Sequence, residues 1–259
     1  MTISCAQISP TDRDNDANRQ HDVELELIAP GEAPRSAVER FIHVVFKRAY
    51  KARVSHFLPY LLSMREEGRL VAALGMRPAA EERLFLETYL DAPVENTLAQ
   101  QLNRPVDRSG IVEVGNLASG HGGCARALII TLTAYLKGAG YEWVVFTTTP
   151  KVRNNFAKLG IGLISLAQAD GERLGEDRSN WGNYYDQNPV VVAANVAAGA
   201  ATLCQAMTAE KLFPTAQQLW DDALSAGRRG RLWQPPRRLS AHWPEWMLED
   251  DGQDYGFNI

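Results

Sequence analysis

The stretch IVEVGNLASGHGGCARALIITLTAYLKGAGYEWVVFTTTPKVRNNFAKLGI (Ile111–Ile161) decides the fold. IVEVGNL (Ile111–Leu117) is a β-rich run with a glycine inside it, and SGHGG (Ser119–Gly123) is a loop of small residues. Leu128, Ile129, Leu132, Tyr135 and Leu136 then share one helical face, and Gly138 and Gly140 end that helix by tolerating positive φ. WVVFTTT (Trp143–Thr149) is nearly continuous in apolar and β-branched residues, as a parallel strand buried on both faces requires. Pro150 opens a second helix. Strand, loop, helix, strand, helix is a parallel crossover unit. Its loop feeds a helix N-terminus, where unpaired N–H groups and the helix dipole favour an anion.

Outward from this unit the pattern stays α/β. VELELIA (Val23–Ala29) alternates as a strand, and Pro34 to Lys51 reads as an amphipathic helix with its basic end at the C-terminus. Phe57 to Met76 reads as a hairpin turning at Glu66–Arg69. LFLETYL (Leu84–Leu90) fits strand or helix equally, and Thr97–Leu102 is helical. Val190–Asn195 is a strand, followed by helices at Ala197–Lys211 and Thr215–Ala226. The expected whole is a mixed sheet with helices on both faces.

Composition narrows the class. A chain of 259 residues, 45% hydrophobic and 22% charged, buries a normal core, and a net charge of -4 gives no general pull toward nucleic acid or anionic lipid. Cys5, Cys124 and Cys204 are too far apart for a disulfide framework or a zinc site, so no metal is expected and a reducing cytoplasm is the simplest compartment. The N-terminus lacks the basic and apolar regions of a signal peptide, and no run reaches the roughly 20 apolar residues of a membrane span. The tail carries Arg228, Arg229, Arg231, Arg237 and Arg238 with three tryptophans and an acidic end, and reads as an appendage to the core. Membrane association through it ranks behind a packed strap or disorder, because Pro235, Pro236 and Pro244 break any helix.

EEGRLVAALGMRPA (66–79), LFLETYLDAP (84–93), IVEVGNLAS (111–119), WVVFTTTPKVRNNFAKLGI (143–161) and WGNYYDQNPVVVAANV (181–196) resemble successive blocks of the thermostable hemolysin family. By that resemblance the chain is similar in fold to acyl-homoserine-lactone synthases and, more distantly, to GNAT-type N-acyltransferases. Residues 1–20 would then be a disordered segment, 21–200 a GNAT-like acyltransferase domain, and 201–259 a helical extension with the Arg/Trp tail. The implied activity moves an acyl group from coenzyme A or an acyl-carrier-protein phosphopantetheine thioester to a small-molecule amine acceptor. The family name suggests a membrane-lytic protein instead, and a non-catalytic acyl-binding module is the third reading; a homodimer stays open.

The resemblance also assigns residues. Gly115 would form the bulge that splays the fourth strand from the fifth. Gly120, His121 and Gly122 supply the Gly-x-Gly of the pyrophosphate loop, with Leu117 where Gln or Arg is usual and with Ser119, Gly123 and Asn154 nearby. Phe156, Lys158, Gly160 and Ile161 match Tyr-x-Lys-x-Gly-Phe, with Phe156 replacing the tyrosine that acts as general acid in many such enzymes. Glu113 is the leading general base, a carboxylate on an apolar strand. Asn116, where the synthases place an arginine, joins Glu113 as a catalytic candidate, and Tyr184, in a cluster with Trp181 and Tyr185, is the candidate replacement acid. Glu87, Tyr89 and Asp91 form a second polar cluster suited to an amine. Cys124 reads as a packed helix cysteine rather than a nucleophile.

Overall fold

The computed structural model describes residues 20–120, 122–209, 214–229 and 238–244. Its strands are β1 (Gln20–Ile28), β2 (Tyr60–Glu66), β3 (Arg69–Pro78), β4 (Ile111–Ser119), β5 (Trp143–Thr148), β6 (Ile164–Gln168), β7 (Val190–Asn195) and β8 (Arg238–Pro244). They form one sheet in the order β6-β7-β5-β4-β3-β2-β1-β8. Among the described pairings only β4 and β5 run parallel, joined by the expected crossover helix α3 (Gly122–Gly138). The β2–β3 hairpin turns at Glu67 and Gly68, both at positive φ.

Each face of the sheet is covered because the remaining helices are apolar on one side. α1 (Arg35–Tyr50) buries Val38, Ile42, Phe46 and Tyr50, a strict four-residue spacing. It packs with α2 (Val94–Leu102) and a 3-10 turn at Phe85–Tyr89 over one face. The opposite face carries α3, α4 (Pro150–Lys158), α5 (Val196–Ala209) and α6 (Pro214–Arg228), around Leu128, Leu136, Phe156, Leu203 and Trp220. Helices α3 and α6 meet at Gly138 and Gly227. A Cβ on Gly138 would overlap the Leu224 carbonyl, and one on Gly227 the Tyr135 carbonyl, so the two backbones touch there.

Three features depart from the sequence reading. LFLETYL is neither strand nor α-helix but the 3-10 turn. Ile164–Gln168 is an edge strand, half-exposed and lacking clear alternation. Arg238–Pro244, read as part of an appendage, pairs antiparallel along the whole of Gln20–Glu26 and forms the other edge. Segment 1–19, the side chains of Arg231, Arg237, Arg238 and the tail tryptophans, and the acidic end lie outside what is described; Arg228 and Arg229 are exposed. No helix among the described residues is long and apolar enough to cross a membrane.

The helix contact gives a test. Gly138→Val should lower stability by about 1–3 kcal/mol, the usual cost of forcing atoms into a filled contact, read as a drop in the urea midpoint. A midpoint equal to wild type would contradict the close approach.

Candidate active site

β4 contains an irregularity that sets the geometry of everything around it. Ala73 of β3 pairs with Ala118, and Gly75 pairs with Gly115, so Asn116 and Leu117 together face Leu74. The extra residue reverses the alternation. Val112, Val114 and Leu117 belong to the α3 side, and Ile111 and Ala118 to the α1 side. The bulge lies beside the expected Gly115, but the positive φ (54°) falls on Asn116, a residue type that tolerates it.

The Asn116 amide explains why this conformation holds. Its Oδ1 accepts from Leu58 N at 2.9 Å and its Nδ2 donates to His56 O at 3.3 Å. The 56–58 segment is thereby laid across the sheet over Gly75 and Gly115. A Cβ at Gly75 would lie 2.8 Å from Leu58 Cβ, so only glycine fits beneath it.

Beyond this point the two parallel strands part. β4 and β5 pair only at Ile111–Glu113 with Trp143–Val145; β4 then continues to Ser119 against β3, and β5 to Thr148 against β7. A cavity flanks the parting on each face. The one on the α3 side, of about 50 Å³, is lined by Val114, Leu117, Ile129, Phe146 and Phe156 and is almost wholly apolar. The one on the α1 side, of about 80 Å³, holds Glu113, Asn116 and Arg77 among aromatic walls that include Phe85, Tyr89, Trp181 and Tyr184.

Glu113 is only 4% exposed. Its Oε2 accepts from Phe85 N at 2.9 Å and its Oε1 from Leu86 N at 2.8 Å, with Arg77 Nη1 3.8 Å from Oε2. Burial raises its pKa to about 7, since the two N–H groups and Arg77 offset only part of the lost hydration. A carboxyl that titrates near neutrality can take a proton from an ammonium or return one.

Comparison with known proteins places this geometry. A family model described as thermostable hemolysin matches residues 28–200. The chain belongs to the thermostable hemolysin family. Among solved structures it is similar to BjaI, a CoA-dependent acyl-homoserine lactone synthase, bound to MTA, with 14% identity and a TM-score of 0.51 over 73% of this chain and 90% of that one. It is also similar to FeeM, an N-acyl amino acid synthase from uncultured soil microbes, with 14% identity and a TM-score of 0.50 over 73% of this chain and 97% of that one. BjaI with SAM and isopentyl-CoA gives 13% identity and 0.50, over 73% and 90%. These likenesses establish the GNAT-like fold for this hemolysin-family chain. No curated protein matches its sequence.

Within this family member the residues expected at the site fall into three groups. Glu113, Asn116 and Tyr184 line one cavity. Asn116 has both ends of its amide engaged on the 56–58 backbone. Tyr184 is 3% exposed and packed edge-on against Tyr50 and Tyr185; burial, with Tyr50 and Tyr185 close by, holds its pKa well above the ordinary phenol value. It is a protonated phenol at any working pH.

The expected phosphate loop is tighter than its sequence suggests. Ser119 ends β4, Gly120 N donates to Val71 O at 2.8 Å, and Gly122 already opens α3, where Gly123 is buried. Gly120 N is therefore unavailable to a phosphate, which leaves the first turn of α3; His121 lies outside the described residues. Leu117, 2% exposed, lines the apolar cavity instead of a phosphate site. Asn154 lies exposed on α4 and lines neither cavity. Cys124 is fully buried with its pKa pushed up to about 12 by burial, as a packed thiol should be.

The second polar cluster separates. Tyr89 reaches the aromatic cavity and hydrogen-bonds Tyr185 Oη. Asp91 pairs with Arg173 at the surface. Glu87 instead ties its own segment together: it accepts from Leu84 N and Val94 N, both at 2.9 Å, and from Arg108 at 2.6 and 3.0 Å. Burial alone would raise the Glu87 pKa, but these bonds outweigh it and hold it at about 2. The 3-10 turn whose N–H groups reach Glu113 is fixed by this cluster. Arg77 and the 84–86 backbone were not among the expected site residues. Arg77 lies near the end of β3 with nothing in its local pattern to mark it, and backbone donors leave no trace in side-chain identity.

The two glutamates predict opposite pH responses of stability. Glu87 ionises at lower pH folded than unfolded, so its contribution is present above about 4.5 and lost as pH falls toward about 2. Glu113 holds its proton to higher pH folded than unfolded, so its contribution is full below about 4.5 and lost as pH rises through about 7. Urea midpoints followed from pH 3 to 8 should show both limbs. Glu87→Gln should flatten the acid limb and Glu113→Gln the neutral one; a neutral limb that survives Glu113→Gln would contradict the assignment.

Proposed function

We propose that this chain is an N-acyltransferase that moves an acyl group from a coenzyme A or acyl-carrier-protein thioester to a small amine. The observation that carries this reading is the parting of β4 and β5 with a buried carboxylate on one face and an apolar cavity on the other. A thioester lying in the parting would have its acyl chain against Leu117 and Phe156 and its carbonyl beside Val114 and Gly115. The amine would approach from the aromatic side. The helix N-terminus at Gly122 would receive pyrophosphate through first-turn N–H groups. The CoA dependence named for BjaI supports the donor class.

The chemistry then needs one base. The ammonium gives its proton to Glu113, and the neutral nitrogen attacks the thioester carbonyl. The C–N bond forms, the C–S bond breaks, and the thiolate leaves carrying the electron pair. Glu113 has a pKa suited to this exchange because it is buried yet hydrogen-bonded. Attack leaves the nitrogen positively charged; it loses its second proton, through solvent, to the thiolate, since Phe156 has no proton to give and Tyr184 keeps its own. Asn116 holds the wall of the cavity in place.

Glu113→Gln should reduce thiol release from acyl-CoA in the presence of amine by about 100-fold, within the range of a lost general base, while acyl-CoA affinity by calorimetry stays near wild type. The wild-type rate should rise with pH through about 7. Binding of acyl-CoA with no turnover by the wild type, across primary amines, would favour the non-catalytic acyl-binding module.

A further inference from the structure

Arg77 is the cation of the aromatic cavity, and its bonds within the protein leave it under-used. Its Nη1 donates to Arg83 O at 3.3 Å and lies 3.8 Å from Glu113 Oε2. Its Nε is buried and makes no hydrogen bond, although Glu82 Oε1 is 2.9 Å away and poorly aligned. Its Nη2 has no acceptor among the described residues. Glu82 is half-exposed, so that ion pair contributes little. A guanidinium has five donors, and its planar fork matches a carboxylate.

Thus one small cavity holds a carboxylate and a guanidinium side by side, each with capacity to spare, among aromatic walls. We propose that the acceptor is a free α-amino acid with a short apolar side chain, its ammonium directed to Glu113 and its carboxylate paired with Arg77. This rests on the acyl-transfer reading and narrows it. An α-amino acid carries the two opposite charges on substituents of one carbon, matching two neighbouring groups of opposite sign. The aromatic walls favour an ammonium over their faces and an apolar side chain against their edges. The volume, about 80 Å³, limits that side chain. An amine without a carboxylate would leave Arg77 facing an apolar group, which costs a charge-assisted hydrogen bond.

The test is an acceptor panel with octanoyl-CoA and the full chain, reading thiol release and product mass. Valine and alanine should give N-octanoyl products. Isobutylamine, which is valine without its carboxylate, should have kcat/KM lower by roughly 10- to 100-fold, the value of a lost charge-assisted pair. Arg77→Gln should narrow the valine-to-isobutylamine ratio at least about tenfold, chiefly by raising KM for valine, and Arg77→Lys should recover part of it. Isobutylamine accepted as well as valine by the wild type would overturn the amino-acid acceptor and leave acyl transfer standing. Acceptance of S-adenosylmethionine in place of valine would overturn the short side chain. Thiol release with no acceptor at all would overturn acyl transfer itself, and the acceptor with it.

Discussion

The side-chain amide of Asn116 bonds the backbone at Leu58 and His56 from a residue held at positive φ inside β4. Without that bond the bulge would lose its anchor, and with it three consequences. The alternation along β4 would not switch, so Leu117 would leave the apolar face. The 56–58 segment would not lie over Gly75 and Gly115. The edge of β4 facing β5 would no longer turn away after Glu113. A strand irregularity costs ladder hydrogen bonds; here two side-chain bonds and the packing of Leu58 compensate for it.

A second layer of the design lies in the segment from Leu84 to Glu95. Glu87 and Arg108 lock that segment, and the N–H groups of Phe85 and Leu86 reach the buried carboxylate of Glu113. The two glutamates sit in related surroundings with opposite outcomes. Glu87 gains a bidentate arginine and two N–H donors and stays ionised; Glu113 gains two N–H donors and a distant arginine, and burial wins. The contrast separates a carboxylate held ionised from one whose charge changes near neutrality.

Much of the fold was legible in the sequence because long apolar patterns mark it. The crossover Ile111–Ile161, the first hairpin and the Pro34–Lys51 helix all appear within a residue or a few of their expected bounds. The strands at the two edges were not legible. Ile164–Gln168 is too exposed to alternate, and Arg238–Pro244 is a strand only because β1 offers it an edge. At the site, Glu113 stood out as a charge in an apolar run, whereas Arg77 did not, because an arginine near the end of a hairpin strand is ordinary. The partners of Asn116 were not legible either: its amide bonds residues about 60 positions away in the chain, a separation no local pattern encodes. Glycines gave more than their motif. Gly75 and Gly115 face each other under Leu58, and this pairing becomes visible only with the register.

In the proposed arrangement the β4–β5 parting is the thioester site, with acyl chain and amine on opposite faces. A crystal structure with a non-reactive thioether analogue of octanoyl-CoA tests it most directly. The sulfur should lie in the parting beside Gly115, with the octyl chain against Leu117 and Phe156 and the Glu113 cavity free of it. An octyl chain lodged among Phe85, Trp181 and Tyr184, or a coenzyme bound away from the parting, would contradict it.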